Sequence, residues 1–265
     1  MDLELKGKTA IITGGSRGIG KAIAREFGRE GVDVALVSRG QEALDATAKE
    51  LGAETGGRYI AVAADTGSED SVKDMVRKAV QELGHLDILV NGAAKVGGGP
   101  APDLAGITEE AFWEDMNTKV MGYIRCAREA APYMASQGWG RIINISGMAA
   151  RQSGTIIGSM RNVAVAAMTK NLADELGPLG INVTVVHPGL TRTERTAELV
   201  EAQVKSQGIS AAEVEKNMAA NISIKRMIDA EEIAYVVTFL ASPKSVAITG
   251  DTIATSGGNG RAIHY

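Results

Sequence analysis

The sequence predicts a doubly wound α/β fold, in which helices cover both faces of a parallel β-sheet. Short apolar segments rich in Val and Ile alternate with longer amphipathic segments almost to the end of the chain, the pattern of buried strands and crossover helices. The 265 residues suit one such domain, and no linker, repeat or low-complexity stretch divides them. We therefore expect residues 1–265 to form a single domain.

The apolar runs fix the order of the elements. Strands are predicted at 9–12, 32–37, 60–62, 86–90, 141–145, 181–186 and 251–254. Helices are predicted at 18–30, 41–52, 68–83, 109–136, 156–177 and 230–241. The segment 190–228 breaks the alternation, because no strand pattern occurs from Leu190 to Met227. It follows a strand end, where open α/β sheets bind ligands, so a helical substrate lid is predicted; the alternative is a solvated surface excursion.

Composition excludes several classes of function. A net charge of −4 and scattered Lys and Arg argue against nucleic-acid and membrane surfaces. No apolar run reaches the roughly 18 residues of a membrane span, and the N-terminus lacks a signal-peptide pattern. The single cysteine, Cys126, is expected to be a small buried hydrophobe. We expect a cytoplasmic protein without a metal site.

A glycine-rich turn joins the first strand to the first helix. Its sequence, Thr13-Gly14-Gly15-Ser16-Arg17-Gly18-Ile19-Gly20, combines a tight turn with close approach of the backbone to a ligand. The helix N-terminus adds free amides and the positive end of a dipole, which suit a pyrophosphate. The turn predicts a dinucleotide site that uses the residues Gly14, Ser16, Arg17, Gly18, Ile19 and Gly20.

The end of the second strand predicts which dinucleotide binds. It reads Ser38-Arg39, without the carboxylate that accepts hydrogen bonds from both ribose hydroxyls of NAD. A hydroxyl and an arginine fork suit a 2′-phosphate, and Arg17 can face the same group. We predict that NADP(H) is preferred over NAD(H).

The sequence resembles the short-chain dehydrogenase/reductase family over nearly its whole length, and this resemblance implies a Rossmann fold. The glycine turn resembles the family's TGxxxGxG pattern, and further similar motifs stand in order at Asp65-Thr66, Asn91-Gly92-Ala93-Ala94, Asn117, Pro188–Thr193, Ile248-Thr249-Gly250 and Ser256-Gly257-Gly258. The resemblance implies that Asp65 contacts the adenine and that Asn117 holds a proton-relay water. It further implies cofactor contacts from Thr66, Asn91, Gly92, Ala93, Pro188, Gly189, Thr191 and Thr193, with Thr193 on the nicotinamide carboxamide.

The catalytic motif departs from the family pattern. The family uses a serine, a tyrosine that gives up its proton, and a lysine four residues later. Ser146 stands at or one residue before the serine position, but the YxxxK positions fall on Gly158 and Asn162. No Tyr, Lys or His occurs between Ser146 and Lys170. Arg161 is one residue, or about 100° around a helix, away from Asn162 and is not expected to replace the lysine.

Three functions remain open. The first is an oxidoreductase acting on a carbonyl, an alcohol or an activated C=C bond, with a proton path through Ser146 or Ser159 and a water near Asn117, or through His187. The second is NADP(H) binding without turnover, as a sensor or an inert subunit. The third is a non-redox elimination or isomerisation. Asn162 can still hydrogen-bond a ribose hydroxyl.

Simpler interpretations accompany the substitute residues. Lys119 is expected to face a helix surface, and Ser159 to help begin a helix. His187 is expected to be a strand-end histidine with a satisfied hydrogen bond. Tyr265 could reach a neighbouring subunit's pocket, although chain ends are usually mobile.

The sequence also bears on assembly and substrate. Helices 109–136 and 156–177 are apolar over much of their circumference, which predicts a homodimer or homotetramer through them. The lid holds apolar residues among charges, namely Leu199, Val200, Val204, Ile209, Val214 and Met218. These fit either a medium-sized apolar ligand or packing of the lid's own helices.

Overall fold

The structure is a computed structural model that describes residues 1–94 and 102–260. The strands are β1 (Thr9–Thr13), β2 (Asp33–Ser38), β3 (Tyr59–Ala63), β4 (Ile88–Asn91), β5 (Gly140–Ile145), β6 (Ile181–Pro188), β7 (Thr191–Arg192), β8 (Ile228–Asp229) and β9 (Thr252–Thr255). The helices are α1 (Gly18–Arg29), α2 (Gln41–Thr55), α3 (Glu69–Leu83), α4 (Glu109–Met116), α5 (Gly122–Gln137), α6 (Ile156–Leu176), α7 (Glu194–Gln207), α8 (Ala211–Met218) and α9 (Ala230–Ala241).

Seven strands form one parallel sheet in the order β3-β2-β1-β4-β5-β6-β9. The chain builds outward from β1 to β3 and then returns to place β4 on the other side of β1. The strand order therefore reverses between β1 and β4, where Thr13 is paired with Asn91. Ligands bind outside the carboxyl ends of strands at such a point.

Both faces of the sheet are buried, which confirms the predicted doubly wound class. Successive residues of β1 point to opposite sides: Ile12 packs in one core cluster with Phe27 of α1, whereas Ile11 packs in a second with Met75 of α3. All five residues of β1 are buried. This explains why the strands appear in the sequence as continuous apolar runs and not as alternating patterns.

The predicted helix 109–136 is interrupted. Helix α4 ends at Met116, a π-helical turn covers Asn117–Met121, and α5 then runs from Gly122 to Gln137. The turn packs on the segment after β3, where an added Cβ on Gly122 would lie 3.1 Å from the Cβ of Thr66. Single π-turns within helices often mark functional sites.

The segment after β6 contains the helices α7 and α8, but the expectation of no strand from Leu190 to Met227 is wrong at one point. Thr191–Arg192 forms the two-residue strand β7, which pairs in parallel with Ile228–Asp229 of β8. A two-residue strand has no periodicity that a sequence could display. The role of residues 190–228 as a lid stays a prediction.

None of the helices in ranges 1–94 and 102–260 combines the length and the apolar character needed to cross a bilayer.

Candidate active site

The glycine turn after β1 is held by close backbone packing. Gly14 has a φ of +75°, and a Cβ there would lie 2.8 Å from the carbonyl oxygen of Gly92. A Cβ on Gly20 would overlap the carbonyl oxygen of Gly14. The Oγ1 of Thr13 accepts hydrogen bonds from the amides of Gly92 (3.0 Å) and Ala93 (3.2 Å). The predicted motifs at 13–20 and 91–93 therefore form one unit at the switch point.

The first amide of α1 donates a hydrogen bond to a carboxylate of the protein itself. Gly18 N donates a hydrogen bond to Oε2 of Glu194 at 3.1 Å, so the first residue of α7 places its carboxylate on the N-terminus of α1. A helix N-terminus attracts negative charge through its free amides and its dipole. The carboxylate stands in for an anion, and the site therefore fits a phosphate group.

Two arginines beside this turn carry unneutralised charge. The amides of Gly14 and Gly15 donate to the Val37 carbonyl at 2.8 and 3.1 Å, which holds the turn against the end of β2. Arg17 precedes α1 and Arg39 follows β2; both are exposed, and no carboxylate of the described residues lies within ion-pairing distance of either. Positive charge is therefore available where the sequence predicts a 2′-phosphate.

The two residues of the motif after β3, Asp65 and Thr66, differ in how far the fold uses their side chains. Thr66 is buried, and its Oγ1 donates to the Thr118 carbonyl at 3.3 Å. The carboxylate of the exposed Asp65 accepts from the Gly67 amide at 2.9 Å, and its second oxygen has no hydrogen bond within the described parts of the chain. Asp65 therefore remains open to a ligand.

Asn117 serves the scaffold through its side chain. Its Nδ2 donates to the Gly67 carbonyl at 3.2 Å, and its Oδ1 accepts from Nη2 of Arg125 at 2.8 Å. Its carbonyl also accepts from Arg125, at 3.3 Å. The predicted proton-relay role of Asn117 is untested, and these contacts show what the residue does in the fold: it ties the π-turn to the end of β3.

Buried amides connect the strand ends to α6. The Nδ2 of Asn91 donates to Oδ1 of Asn144 at 3.0 Å, and the Nδ2 of Asn144 donates to Oγ1 of Thr169 at 2.9 Å. Asn91 Oδ1 is a buried acceptor without a hydrogen-bond partner among the described residues. Sequence reasoning placed Asn91 in the site but missed Asn144 and Thr169.

The predicted residues after β6 lie at the same edge of the sheet. A Cβ on Gly189 would lie 2.7 Å from the Cα of Ser256, which brings this segment against the C-terminal motif. Thr191 Oγ1 donates to the Gly189 carbonyl at 2.9 Å, and the hydroxyls of Thr193 and Thr196 lie 3.2 Å apart. Three predicted positions remain. The carbonyl of Ser16 accepts a hydrogen bond from the hydroxyl of Thr47. Ile19 packs against the hydrophobic core, and Pro188 is the last residue of β6.

Gly158 and Asn162 lie one turn apart on the buried face of α6. Ser146 directly follows β5, and its Oγ donates to the carbonyl of Asn162 at 3.2 Å. A Cβ on Gly147 would lie 3.1 Å from Nδ2 of Asn162. The structure thus brings together Ser146, Gly158 and Asn162, whereas the side chain of Asn117 is directed to the end of β3.

The expectation that Lys119 faces a helix surface is wrong. Only 4% of Lys119 is exposed, and its Nζ donates to the Ser146 carbonyl at 3.0 Å and to Oδ1 of Asn162 at 3.3 Å. The π-turn moves its residues out of the register of a continuous α-helix, so position 119 faces inward. Burial, reinforced by the charge of Arg161 and partly offset by Asp115, lowers the pKa of Lys119 to about 7.

Two further expectations concern the start of α6. Arg161 points away from Asn162, as predicted, and its Nη1 donates to both carboxylate oxygens of Asp115 at 2.7 and 2.8 Å. Ser159 does not begin the helix. That role belongs to Thr155, whose Oγ1 accepts from the Gly158 amide at 2.9 Å.

His187 and Cys126 are both fully buried. The expectation of a satisfied His187 is wrong at Nδ1, which has no partner among the described residues. Burial, with the charges of Arg151 and Lys119, lowers the pKa of His187 to about 4, so the ring is neutral at pH 7 and a poor proton donor. Burial raises the pKa of Cys126 to about 12, which confirms it as an inert hydrophobe. Tyr265 lies outside the described residues.

A parallel sheet with a glycine-rich turn and a helix N-terminus at its switch point defines a Rossmann-type dinucleotide-binding protein. The chain belongs to the short-chain dehydrogenase/reductase family, because the family model "short chain dehydrogenase" matches residues 8–204.

Its relatives are oxidoreductases. The chain is 34% identical to the 3-oxoacyl-(acyl-carrier-protein) reductase FabG of Staphylococcus aureus over 95% of its own length and 97% of the relative's. It is 30% identical to the NADPH-dependent reductase BacG of Bacillus subtilis, over 97% and 99% of the two chains. The structure of L-sorbose reductase from Gluconobacter frateurii, complexed with NADPH and L-sorbose, matches with a TM-score of 0.93 and 30% identity over 99% and 100% of the chains.

Lys119 is the functional candidate that sequence reasoning missed. The available signal was indirect: a lysine stands two residues after Asn117, and the predicted catalytic motif has no lysine of its own.

Proposed function

We propose that this protein is an NADP(H)-dependent oxidoreductase that acts on a carbonyl, an alcohol or an activated C=C bond by an atypical proton path. The observation that carries the proposal is the anion site at the switch point, where Gly18 N donates to a carboxylate beside Arg17 and Arg39, neither of which has an ion-pair partner in ranges 1–94 and 102–260. When bound, NADPH supplies a hydride. The chain must then position the substrate and deliver a proton to it.

The proton cannot come from a tyrosine at the family's position. Gly158 has no side chain, and the amide of Asn162 carries no charge. Lys119 donates to Oδ1 of Asn162, and the Nδ2 of Asn162, which lies beside Gly147, donates no hydrogen bond within the described residues. We propose that this N–H group binds a hydroxyl of the nicotinamide ribose.

The lid residues bear on the substrate. Val200 and Val214 are buried where α7 and α8 pack, which favours the packing interpretation for these two residues over an apolar ligand surface. A groove of about 600 Å³ lies between the loop after β5, the segment after α8 and the end of the chain's described part. Its lining includes Gln152, Ser153, Asn221, Ser223, Lys225 and Asn259. We propose a small-molecule substrate that enters here.

The cofactor preference is tested by Arg39→Ala. We expect NADPH to bind roughly 10–100-fold more weakly, because a charge-assisted hydrogen bond contributes about 1.5–3 kcal/mol. NADH, which has no 2′-phosphate, should bind as before. Titration of both nucleotides by fluorescence measures this, with Arg77→Ala as a matched control, since Arg77 is exposed and paired with Asp74. If Arg39→Ala weakened the binding of NADH and NADPH equally, Arg39 would not contact the 2′-phosphate.

The reaction class is tested by NADPH oxidation with ketones, aldehydes and activated alkenes at saturating cofactor. Turnover by the wild-type protein supports the proposal. Tight NADPH binding without any turnover would favour the binding-only function. Conversion of a substrate without any change in NADPH absorbance at 340 nm would favour elimination or isomerisation.

We also propose a homodimer or homotetramer through α4, α5 and α6. Helix α6 exposes an apolar stripe formed by Ile156, Met160 and Val163, each 50% exposed, and Trp113 of α4 is 59% exposed. Such a face in a single chain is costly in water. Val163→Glu should therefore shift the protein towards monomers in light scattering, whereas Lys170→Glu on the same helix should not. An unchanged mass for Val163→Glu would contradict this interface.

A further inference from the structure

The strongest unassigned feature of the molecule is the buried ammonium of Lys119 beside Asn162. Two of its three N–H bonds are used, by the Ser146 carbonyl and by Oδ1 of Asn162. The third has no hydrogen-bond partner within residues 1–94 and 102–260. A buried donor is normally satisfied, so a free one requires an explanation.

The surroundings show where this group can act. Nζ contacts the tip of Asn162, one turn from Gly158 on the same buried face of α6. Gly158 and Gly147, the glycines nearest Asn162 in this part of the site, add no side chains there. The Nδ1 of His187 is a second buried polar atom without a partner among the described residues, and the charge of Lys119 contributes to lowering the pKa of this histidine. Lys119 and His187 are thus two buried polar groups with unused hydrogen-bonding capacity that interact electrostatically, and such a pair points to a bound polar ligand.

The charged and titratable groups around Lys119 come from each neighbouring element. Helix α6 contributes Arg161, α4 contributes Asp115, and β6 contributes His187. The ring of Tyr123 from α5 lies 6.0 Å from Nζ, and its hydroxyl donates to the Ile145 carbonyl at 2.9 Å. Arg161 and Asp115 form an ion pair with each other, whereas Lys119 has no carboxylate partner among the described residues.

We propose that Lys119 is the catalytic acid of this site and gives its free proton to the oxygen of the substrate. This role rests on the proposed reductase function. As the hydride bonds to the carbonyl carbon, the C=O π electrons move to oxygen, which takes a proton from Nζ. The nitrogen keeps the electron pair of the broken N–H bond and regains a proton from solvent. Its two hydrogen bonds hold the amine in place in both states.

The pKa of about 7 supports this assignment, because a general acid works best when its pKa is near the working pH. The group remains partly protonated at neutral pH and gives up its proton more readily than an ordinary lysine.

The first test compares Lys119→Ala with Lys170→Ala, in which an exposed lysine of α6 is removed. At saturating NADPH, Lys119→Ala should lose about 10²–10⁴-fold in kcat. Added methylamine or ethylamine should restore part of this rate, and the rescued rate should follow the pKa of the amine. Lys170→Ala should keep the wild-type rate and gain nothing from amines. A Lys119→Ala protein that turns over like wild type, or one that amines do not rescue, would overturn the role of Lys119.

The second test needs no turnover and uses Lys119→Met. Calorimetry at pH 7 in two buffers of different ionisation enthalpy counts the protons released when NADP⁺ or NADPH binds. The positively charged nicotinamide ring of NADP⁺ should cause Lys119 to release a fraction of a proton, whereas the neutral ring of NADPH should not. Lys119→Met should abolish this difference in proton release between the two nucleotides. An equal count in wild type and variant would overturn the proposal. A wild-type protein that shows the difference but reduces no substrate would instead contradict the reductase function.

Discussion

A triple variant with Gly158→Tyr, Asn162→Lys and Lys119→Ser is expected to reduce simple ketones roughly 10²–10⁴-fold faster than the same variant with phenylalanine at position 158. If positions 158 and 162 are those of the family motif, as the sequence predicts, a tyrosine and a lysine there would supply the family's proton donor and its adjacent cation on one face of α6. The phenylalanine variant is the matched control, because it fills the same space without the hydroxyl. The measurement is NADPH oxidation at saturating cofactor.

The structure shows why Lys119 must be changed as well. Its Nζ lies 3.3 Å from Oδ1 of Asn162, so a lysine at 162 would place a second ammonium beside the first. Two like charges about 4 Å apart repel by ~4 kcal/mol at an effective dielectric of 20. The double variant that keeps Lys119 should therefore be less stable and less active than the triple variant. Equal rates for the tyrosine and phenylalanine variants would show that the surrounding cleft no longer supports the family's chemistry.

Removing the charge of Lys119 is expected to change how stability depends on pH. The pKa of Lys119 is about 7 in the folded protein, against about 10.5 when unfolded. Between these values the unfolded chain binds more protons, so the free energy of unfolding of the wild type should rise with pH. The cost of burying the charge is fully present below about pH 7 and is gone above about pH 10.5.

One pKa unit corresponds to about 1.4 kcal/mol, so the wild type should gain roughly 3–5 kcal/mol across this range relative to Lys119→Met. Urea unfolding of both proteins at intervals from pH 6 to pH 10 gives the comparison. Lys170→Met removes an exposed lysine and should follow the wild-type curve. Parallel curves for wild type and Lys119→Met would mean that the buried lysine keeps an ordinary pKa.

The fold could be predicted because its signals are local. The buried strands contain short apolar runs, such as Ile88-Leu89-Val90 in β4, and the turn at Gly14 has a positive φ and leaves no room for a Cβ. These requirements limit the residue types that can occupy such positions. That the predicted motifs lie at one edge of the sheet could be predicted as well, since parallel strands bring motifs far apart in sequence to the same side; that this edge binds the cofactor stays a prediction.

The centre of the candidate site could not be predicted in the same way. The orientation of Lys119 depends on a π-turn, and that turn is held by contacts of Thr66 and Asn117 with residues some fifty positions away. A helical periodicity assumes 3.6 residues per turn and so placed Lys119 on the outside. Likewise, the capping role of Thr155 depends on where α6 begins, which its apolar pattern leaves uncertain by several residues.

The carboxylate of Glu194, the first residue of α7, accepts a hydrogen bond from the first amide of α1 and would therefore compete with a nucleotide phosphate for that amide. Under the proposed function, a phosphate can occupy that amide only when Glu194 leaves it, so nucleotide affinity is the difference between two binding free energies. Coupling of this kind is reciprocal. A substrate that holds α7 away from the glycine turn would strengthen nucleotide binding by the same factor by which the nucleotide strengthens substrate binding. In the predicted role of residues 190–228 as a lid, α7 would thereby make the binding of the two ligands cooperative.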